Sequence, residues 1–224
     1  MNIKELPRMI DLSCVKTEIT QAELDKMLSM ARKYGFICCF AMPCYTKWLV
    51  EQLKDREDIL VGGAVGFPSG ADLTEAKVLT AKQQIAFGCD ELDMVINVSA
   101  LKNQHYDMVA DDMKQVHEVA QGRPLKVILE VAYLTDYEIQ KGAEMAVAAG
   151  ASFVKTGTGW APRPTTADHI KLIKNAIGTS ARIKAAGGVR TLKDIEEMVE
   201  AGCSRFGIGV NSAANILREA GFEI

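Results

Sequence analysis

Short apolar runs of strand length recur along the chain at residues 8–12, 36–41, 60–66, 91–97, 125–130, 152–156, 182–186 and 205–209. Runs of four to seven residues bounded by turn-forming residues argue for buried strands. Between them the apolar positions change to helical spacing, over 21–33, 44–54, 72–87, 106–120, 136–149, 166–176, 192–201 and a last segment from Ser212. Three of these helices run into glycine just before the next strand, at Gly88, Gly150 and Gly202, which is how helices commonly end. Eight strands each followed by a helix predict a single α/β domain over residues 1–224, a closed parallel (β/α)8 or TIM barrel. An open doubly wound sheet shares this alternation and differs only in closure. No Pro/Ser-rich linker divides the chain.

In a barrel the chemistry gathers at the C-terminal ends of the strands, so position becomes an expectation about role. Asp11 is expected after the first strand, Asp93 and Asn97 on the fourth, Glu130 on the fifth, Lys155 and Thr156 on the sixth, and Lys184 on the seventh. Lys126 falls near the beginning of its strand and is expected to face the opposite rim. Lys155 and Lys184 are the most informative pair. Each ends or interrupts a short apolar run that breaks into glycine soon afterwards. Burial and a neighbouring cation both push a lysine pKa down, and a neutral buried amine is what Schiff-base chemistry at a carbonyl needs. Asp93 is expected to move protons beside them. Gly187, Gly188 and Gly209, with Ser212 at the start of the last helix, offer backbone donors of the kind that hold phosphate after strands seven and eight. Arg190 and Lys193 either add charge there or face solvent.

Composition narrows the partners. The 224 residues carry a formal net charge of −3, with no basic excess to attract nucleic acid. No apolar run reaches membrane-spanning length, and residues 1–7 lack a secretory pattern, so no membrane partner and a cytoplasmic location are expected. The six cysteines are expected to be reduced thiols in the core. Cys38, Cys39 and Cys44 lack a second cysteine pair and a nearby histidine, so no metal or other cofactor is expected there.

The motifs themselves carry a resemblance. The stretch 88–97 with Asp93, the segment Lys126 to Glu130, the element Phe153-Val154-Lys155-Thr156-Gly157-Thr158-Gly159, and the segment Lys184 to Thr191 resemble deoxyribose-phosphate aldolases in family order. Residues 65–70 and 9–13, the latter with Asp11 and Ser13, are similar to the family as well. The resemblance implies a metal-free class I aldolase in which Lys155 forms the Schiff base, Lys184 perturbs it and Asp93 takes part in proton transfer. It implies a small sugar phosphate and an aldehyde as the partners, bound by Asp11, Ser13, Thr156, Thr158, Gly159, Gly187, Gly188, Gly209 and Ser212. The chain departs from the pattern at Gly157, at Trp160, across Cys38 to Pro43, and after strand eight, where Ser212 arrives one residue late. These departures leave open an aldolase of the same lineage with another substrate, or a non-catalytic sugar-phosphate binder. A homo-oligomer is compatible with this reading.

Overall fold

The structure, a computed structural model, describes residues 2–224. Its strands are β1 (Ile10–Cys14), β2 (Cys38–Ala41), β3 (Leu60–Val65), β4 (Glu91–Val95), β5 (Leu125–Ile128), β6 (Phe153–Lys155), β7 (Arg182–Ala186) and β8 (Arg205–Gly209). All pair in parallel with their sequence neighbours, and β8 returns to β1 with Ile10 beside Phe206 and Ser13 beside Gly209. That last pairing closes the barrel and removes the open sheet from consideration. The helices are α1 (Gln21–Tyr34), α2 (Thr46–Leu53), α3 (Thr74–Phe87), α4 (Val98–Lys102), α5 (Tyr106–Val119), α6 (Asp136–Ala148), α7 (Ala167–Ile177), α8 (Leu192–Glu200) and α9 (Val210–Glu219).

Strand periodicity sorts the side chains into two interiors. Leu12, Cys39, Leu92, Met94, Val127, Val154, Ile183 and Phe206 belong to the apolar layer beneath the helices. Burying one such side chain contributes about 1.5–3 kcal/mol. The alternate positions, including Asp11, Asp93, Lys126 and Lys184, are equally buried but fall in the lumen, where they pair with one another. Helix starts are written locally. Thr20, Thr135, Thr166 and Thr191 open α1, α6, α7 and α8 with reciprocal capping boxes. Gly88 closes α3 at φ +99°, a conformation that favours glycine.

Three boundaries differ from expectation. β1 begins at Ile10 because Ile3–Met9 forms a 3₁₀ segment with Pro7 inside it, so Asp11 lies within the strand and not after it. Helix α4 is an addition: it spans five residues, too few to show a period, and Asn97 caps it by accepting from the Ala100 N–H at 2.9 Å. Helix α9 starts at Val210, two residues early. Five of the six cysteines are buried, Cys44 is exposed, and all six are free thiols. No helix among the described residues is long and apolar enough to cross a membrane.

Candidate active site

The register of neighbouring strands assembles the site. Lys155 pairs with Lys184 across β6 and β7, Asp93 with Lys126 across β4 and β5, and Lys184 with Arg205 across β7 and β8. Alternation then turns all of them into the lumen. Lys126 Nζ lies 2.5 Å from Glu91 Oε2 and 3.2 Å from both Asp11 Oδ2 and Asp93 Oδ1. Lys184 Nζ lies 2.5 Å from Asp11 Oδ2 and 2.7 Å from Asp93 Oδ2. Arg205 pairs with Asp11 and, at 3.0 Å, with Glu91. Lys155 Nζ has Asp93 Oδ2 alone, at 2.7 Å.

That inequality decides which amine can lose its proton. Four cations share three carboxylates in this cluster, so one positive charge is in surplus. Three carboxylates hold Lys126 above its ordinary pKa despite its burial. Lys155 has a single counter-ion, and its pKa is pushed down to about 8. Burial is the main cause; Lys184 and Lys126 add to it as like charges, while Asp93 opposes it. Burial would raise Asp93, but Lys126, Lys155 and Lys184 outweigh it and hold the carboxyl well below the usual range. Its Oδ1 accepts no hydrogen bond and is fully buried, with Lys126 Nζ 3.2 Å away.

A small chamber of about 30 Å³ opens against this cluster, lined by Phe40, Asp93, Lys155, Thr158, Lys184 and Gly207 among others. Through Ser13, Val15, Thr158 and Gly207 it shares walls with an outer cleft of about 530 Å³. The cleft is lined by Gly159, Trp160, Gly187, Gly188, Arg190, Gly209, Asn211 and Ser212, with Lys16 and Lys26 at its side. Gly187 and Gly188 stand at φ +90° and +87°, and a Cβ on Gly188 would press on Pro164. Thr158 is held by Glu130, which receives its N–H at 3.2 Å and its hydroxyl as well. Burial raises the Glu130 pKa, with the Thr158 hydrogen bonds acting against it. Trp160 donates from Nε1 to the Val15 carbonyl at 2.7 Å and meets Phe67 edge to face, joining three loops at the mouth.

Most of the expected residues converge here and three do not behave as expected. Asp93, Lys155, Lys184, Ser13, Thr158, Gly159, Gly187, Gly188, Gly209 and Ser212 line the chamber or the cleft. Asp11 reaches the chamber wall, yet its oxygens serve Lys126, Lys184 and Arg205 and not a ligand. Thr156 lines neither cavity: its hydroxyl donates to the Ala186 carbonyl at 3.0 Å and meets Thr165, tying β6 to β7. Lys126 does not face the opposite rim; as the second residue of β5 it is fully buried inside the barrel. Its strand begins at Leu125, so alternation already aims Lys126 the same way as Ile128, a signal that strand position alone concealed. Lys193 pairs with Glu197 on the surface, whereas Arg190 borders the cleft. Glu91 and Arg205, which complete the network, begin β4 and β8 and were not singled out in the sequence, although Glu91 lies within the stretch 88–97 that carries the resemblance.

The ligand atoms of Asp11, Cys38 and Glu91 lie within 4.8 Å of one another, the spacing of a metal trio. They do not suit one. Lys126 and Arg205 already hold both carboxylates, and burial pushes the Cys38 thiol well up, away from the thiolate a metal requires.

A closed parallel barrel whose lumen holds an ionisable cluster beneath a cleft at the C-terminal strand ends is the design of a (β/α)8 enzyme. Comparison with known proteins narrows this. A model described as DeoC/LacD family aldolase matches residues 10–219. A deoxyribose-phosphate aldolase of Exiguobacterium sp. is 41% identical over 209 residues, covering 93% of this chain and 95% of that protein. The chain belongs to the DeoC/LacD aldolase family and is a carbon–carbon lyase. Among solved structures, one from Coccidioides immitis assigned as a deoxyribose-phosphate aldolase superposes with a TM-score of 0.93 at 31% identity, over 99% of this chain and 88% of that one. The tetrameric deoxyribose phosphate aldolase of Aeropyrum pernix superposes with a TM-score of 0.85 at 26% identity, over 97% of this chain and 91% of that one.

Proposed function

We propose that this protein cleaves 2-deoxy-D-ribose 5-phosphate reversibly to acetaldehyde and D-glyceraldehyde 3-phosphate through an imine on Lys155. The observation that carries the reading is the surplus charge: of the lumen's three lysines, Lys155 alone has a single carboxylate partner and a pKa near 8. The neutral Nζ adds to the aldehyde carbon of the open-chain sugar, and loss of water from the adduct gives an iminium. Removal of the proton from the C3 hydroxyl lets the C2–C3 bond break. Its electron pair moves toward the iminium nitrogen as an enamine, and glyceraldehyde 3-phosphate departs. The enamine takes a proton at its terminal carbon, and water then releases acetaldehyde and the free amine. Asp93, which lines the chamber beside Lys155, suits proton exchange through a water or the substrate hydroxyl. Lys184 keeps the surroundings of Lys155 positive throughout.

The outer cleft suits the phosphate end. Gly188, Gly209 and the start of α9 supply backbone N–H groups, and Lys16, Lys26 and Arg190 supply positive charge. Retention of a surplus, partly neutral lysine favours catalysis over mere binding, because a binder gains nothing from that costly arrangement. The related names support a deoxyribose phosphate as substrate and, through the tetrameric relative, assembly into a homo-oligomer; a cytoplasmic setting is part of the same proposal. Borohydride reduction in the presence of acetaldehyde, followed by peptide mapping, tests the assignment. An ethyl group on Lys155 is the expected result. Labelling chiefly at Lys184, or no adduct at all, would overturn it.

A further inference from the structure

Glu130 is a buried carboxylate that takes no part in the cluster around Lys155. It is 5% exposed and stands just after β5 at φ +57°, a left-handed conformation uncommon outside glycine. Backbone strain of that kind persists where the surroundings impose it. Here the Val131 N–H donates to the Thr156 carbonyl at 2.9 Å, which turns the chain back toward β6 and brings the Glu130 side chain to residues 157 and 158. Gly157 leaves it room: a Cβ there would stand 2.8 Å from Glu130 Oε1 and 3.1 Å from the Ala186 carbonyl oxygen. Among the described residues, every hydrogen bond that this carboxylate receives comes from Thr158, through its N–H at 3.2 and 3.3 Å and through its hydroxyl. Those donors and the charge of Lys155 favour the ionised form against burial.

The consequence falls on Thr158. A hydroxyl has one proton and two lone pairs. The proton goes to Glu130 in a charge-assisted bond that a neutral acceptor does not match, and one lone pair takes the Trp160 N–H at 3.0 Å. One lone pair is left for a ligand. Thr158 is buried and lines both the chamber that holds Lys155 and the cleft that holds Gly188 and Gly209, so it stands between the amine and the phosphate end. Glu130 lines neither cavity. We infer that Glu130 is a positioning residue that fixes the Thr158 hydroxyl as a hydrogen-bond acceptor, so that the wall between amine and phosphate selects a sugar phosphate whose C4 hydroxyl donates. The inference rests on the proposed reaction, in which C4 lies between the breaking C2–C3 bond and the phosphate.

The test uses the full chain and measures kcat/KM in the synthetic direction, with acetaldehyde added to D-glyceraldehyde 3-phosphate or to its 2-deoxy-2-fluoro analogue. The 2-hydroxyl of that aldehyde becomes the C4 hydroxyl of the product. Fluorine is close to a hydroxyl in size and cannot donate, so opposite Thr158 it sets lone pair against lone pair. Comparing the hydroxyl-to-fluoro ratio of each variant with that of the wild type cancels the intrinsic reactivities of the two aldehydes. Glu130→Gln frees the Thr158 proton, and the ratio should fall by about fivefold to tenfold, the scale of one hydrogen bond between uncharged groups. Gly157→Ala displaces the same carboxylate and should lower the ratio in the same direction, which keeps the test open where Glu130→Gln does not fold. Thr158→Val removes the lone pair itself and should lower the ratio about as far as Glu130→Gln. In the Thr158→Val background Glu130→Gln should lower it no further, because its effect passes through Thr158. A merely structural Glu130 would lower both kcat/KM values together and leave the ratio where it was. That outcome, or an equal further fall in the double variant, overturns the inference. No product from either aldehyde with the wild type removes the aldolase reading itself, whereas product from both with unmoved ratios removes only the role of Glu130.

Discussion

Lys126, Lys155 and Lys184 have the same side chain in the same lumen and differ in how many carboxylates each one meets: three, one and two. In a low-dielectric interior such differences in pairing move a pKa by whole units. With its pKa near 8, Lys155 is mostly protonated at pH 7 and mostly neutral by pH 9. Since the neutral amine is the nucleophile, kcat/KM should rise with pH through about 8. Lys184→Leu removes a cation that lowers this pKa and leaves Asp93 to pair more fully with Lys155. Both effects have the same sign. The midpoint should move up, and kcat/KM near neutral pH should fall by about tenfold or more, as a pH–rate profile of the variant would show. An unshifted midpoint would mean that burial alone sets the Lys155 pKa.

The elements differ in how their ends are closed. Capping boxes occupy the first N–H groups of α1, α6, α7 and α8, each through a threonine. Helix α9 begins after Gly209 with no side-chain cap, and its start borders the cleft. Unsatisfied N–H groups and the positive end of the helix dipole together favour an anion there. Lys26 reaches from α1 to donate to Asn211 Oδ1 at 2.9 Å, adding charge to the same end. The protein should therefore prefer 2-deoxyribose 5-phosphate to 2-deoxyribose in kcat/KM. Ser212→Ala should reduce that preference by about tenfold, the cost of a hydrogen bond to a charged group. Thr135→Ala is the contrasting case. It uncaps α6 away from the cleft and should cost about 1 kcal/mol in urea denaturation while leaving the preference unchanged.

At the scale of the molecule, the charge network is also what fills the barrel. Arg205 on β8 joins Asp11 on β1 to Glu91 on β4, and Lys126 joins both acids from β5. These groups are buried, so removing one partner strands the others without solvent. Arg205→Met should destabilise the fold by about 3–5 kcal/mol, read as a lower urea midpoint. Any loss of activity that follows at temperatures where the variant remains folded would report on the positions of Asp11 and Lys184 above it.

The order of strands and helices was legible in the chain because each element has its own period, and Thr20, Thr135 and Gly88 mark ends by local backbone chemistry alone. Asp93, Lys155 and Lys184 were legible too, since each sits in a run whose pattern and motif surround it. What the sequence could not contain is which lysine meets which acid. Lys126 looked remote, Asp11 looked free for a ligand, and Thr156 looked like part of the pocket. Glu91 sat inside a recognised stretch without a role, and Arg205 carried no signal. Those assignments depend on strand register around a closed ring, where residues more than a hundred positions apart, such as Asp11 and Lys126, come within 3.2 Å. Local pattern sets which face of a strand a residue occupies, and only closure of the barrel decides what it faces there.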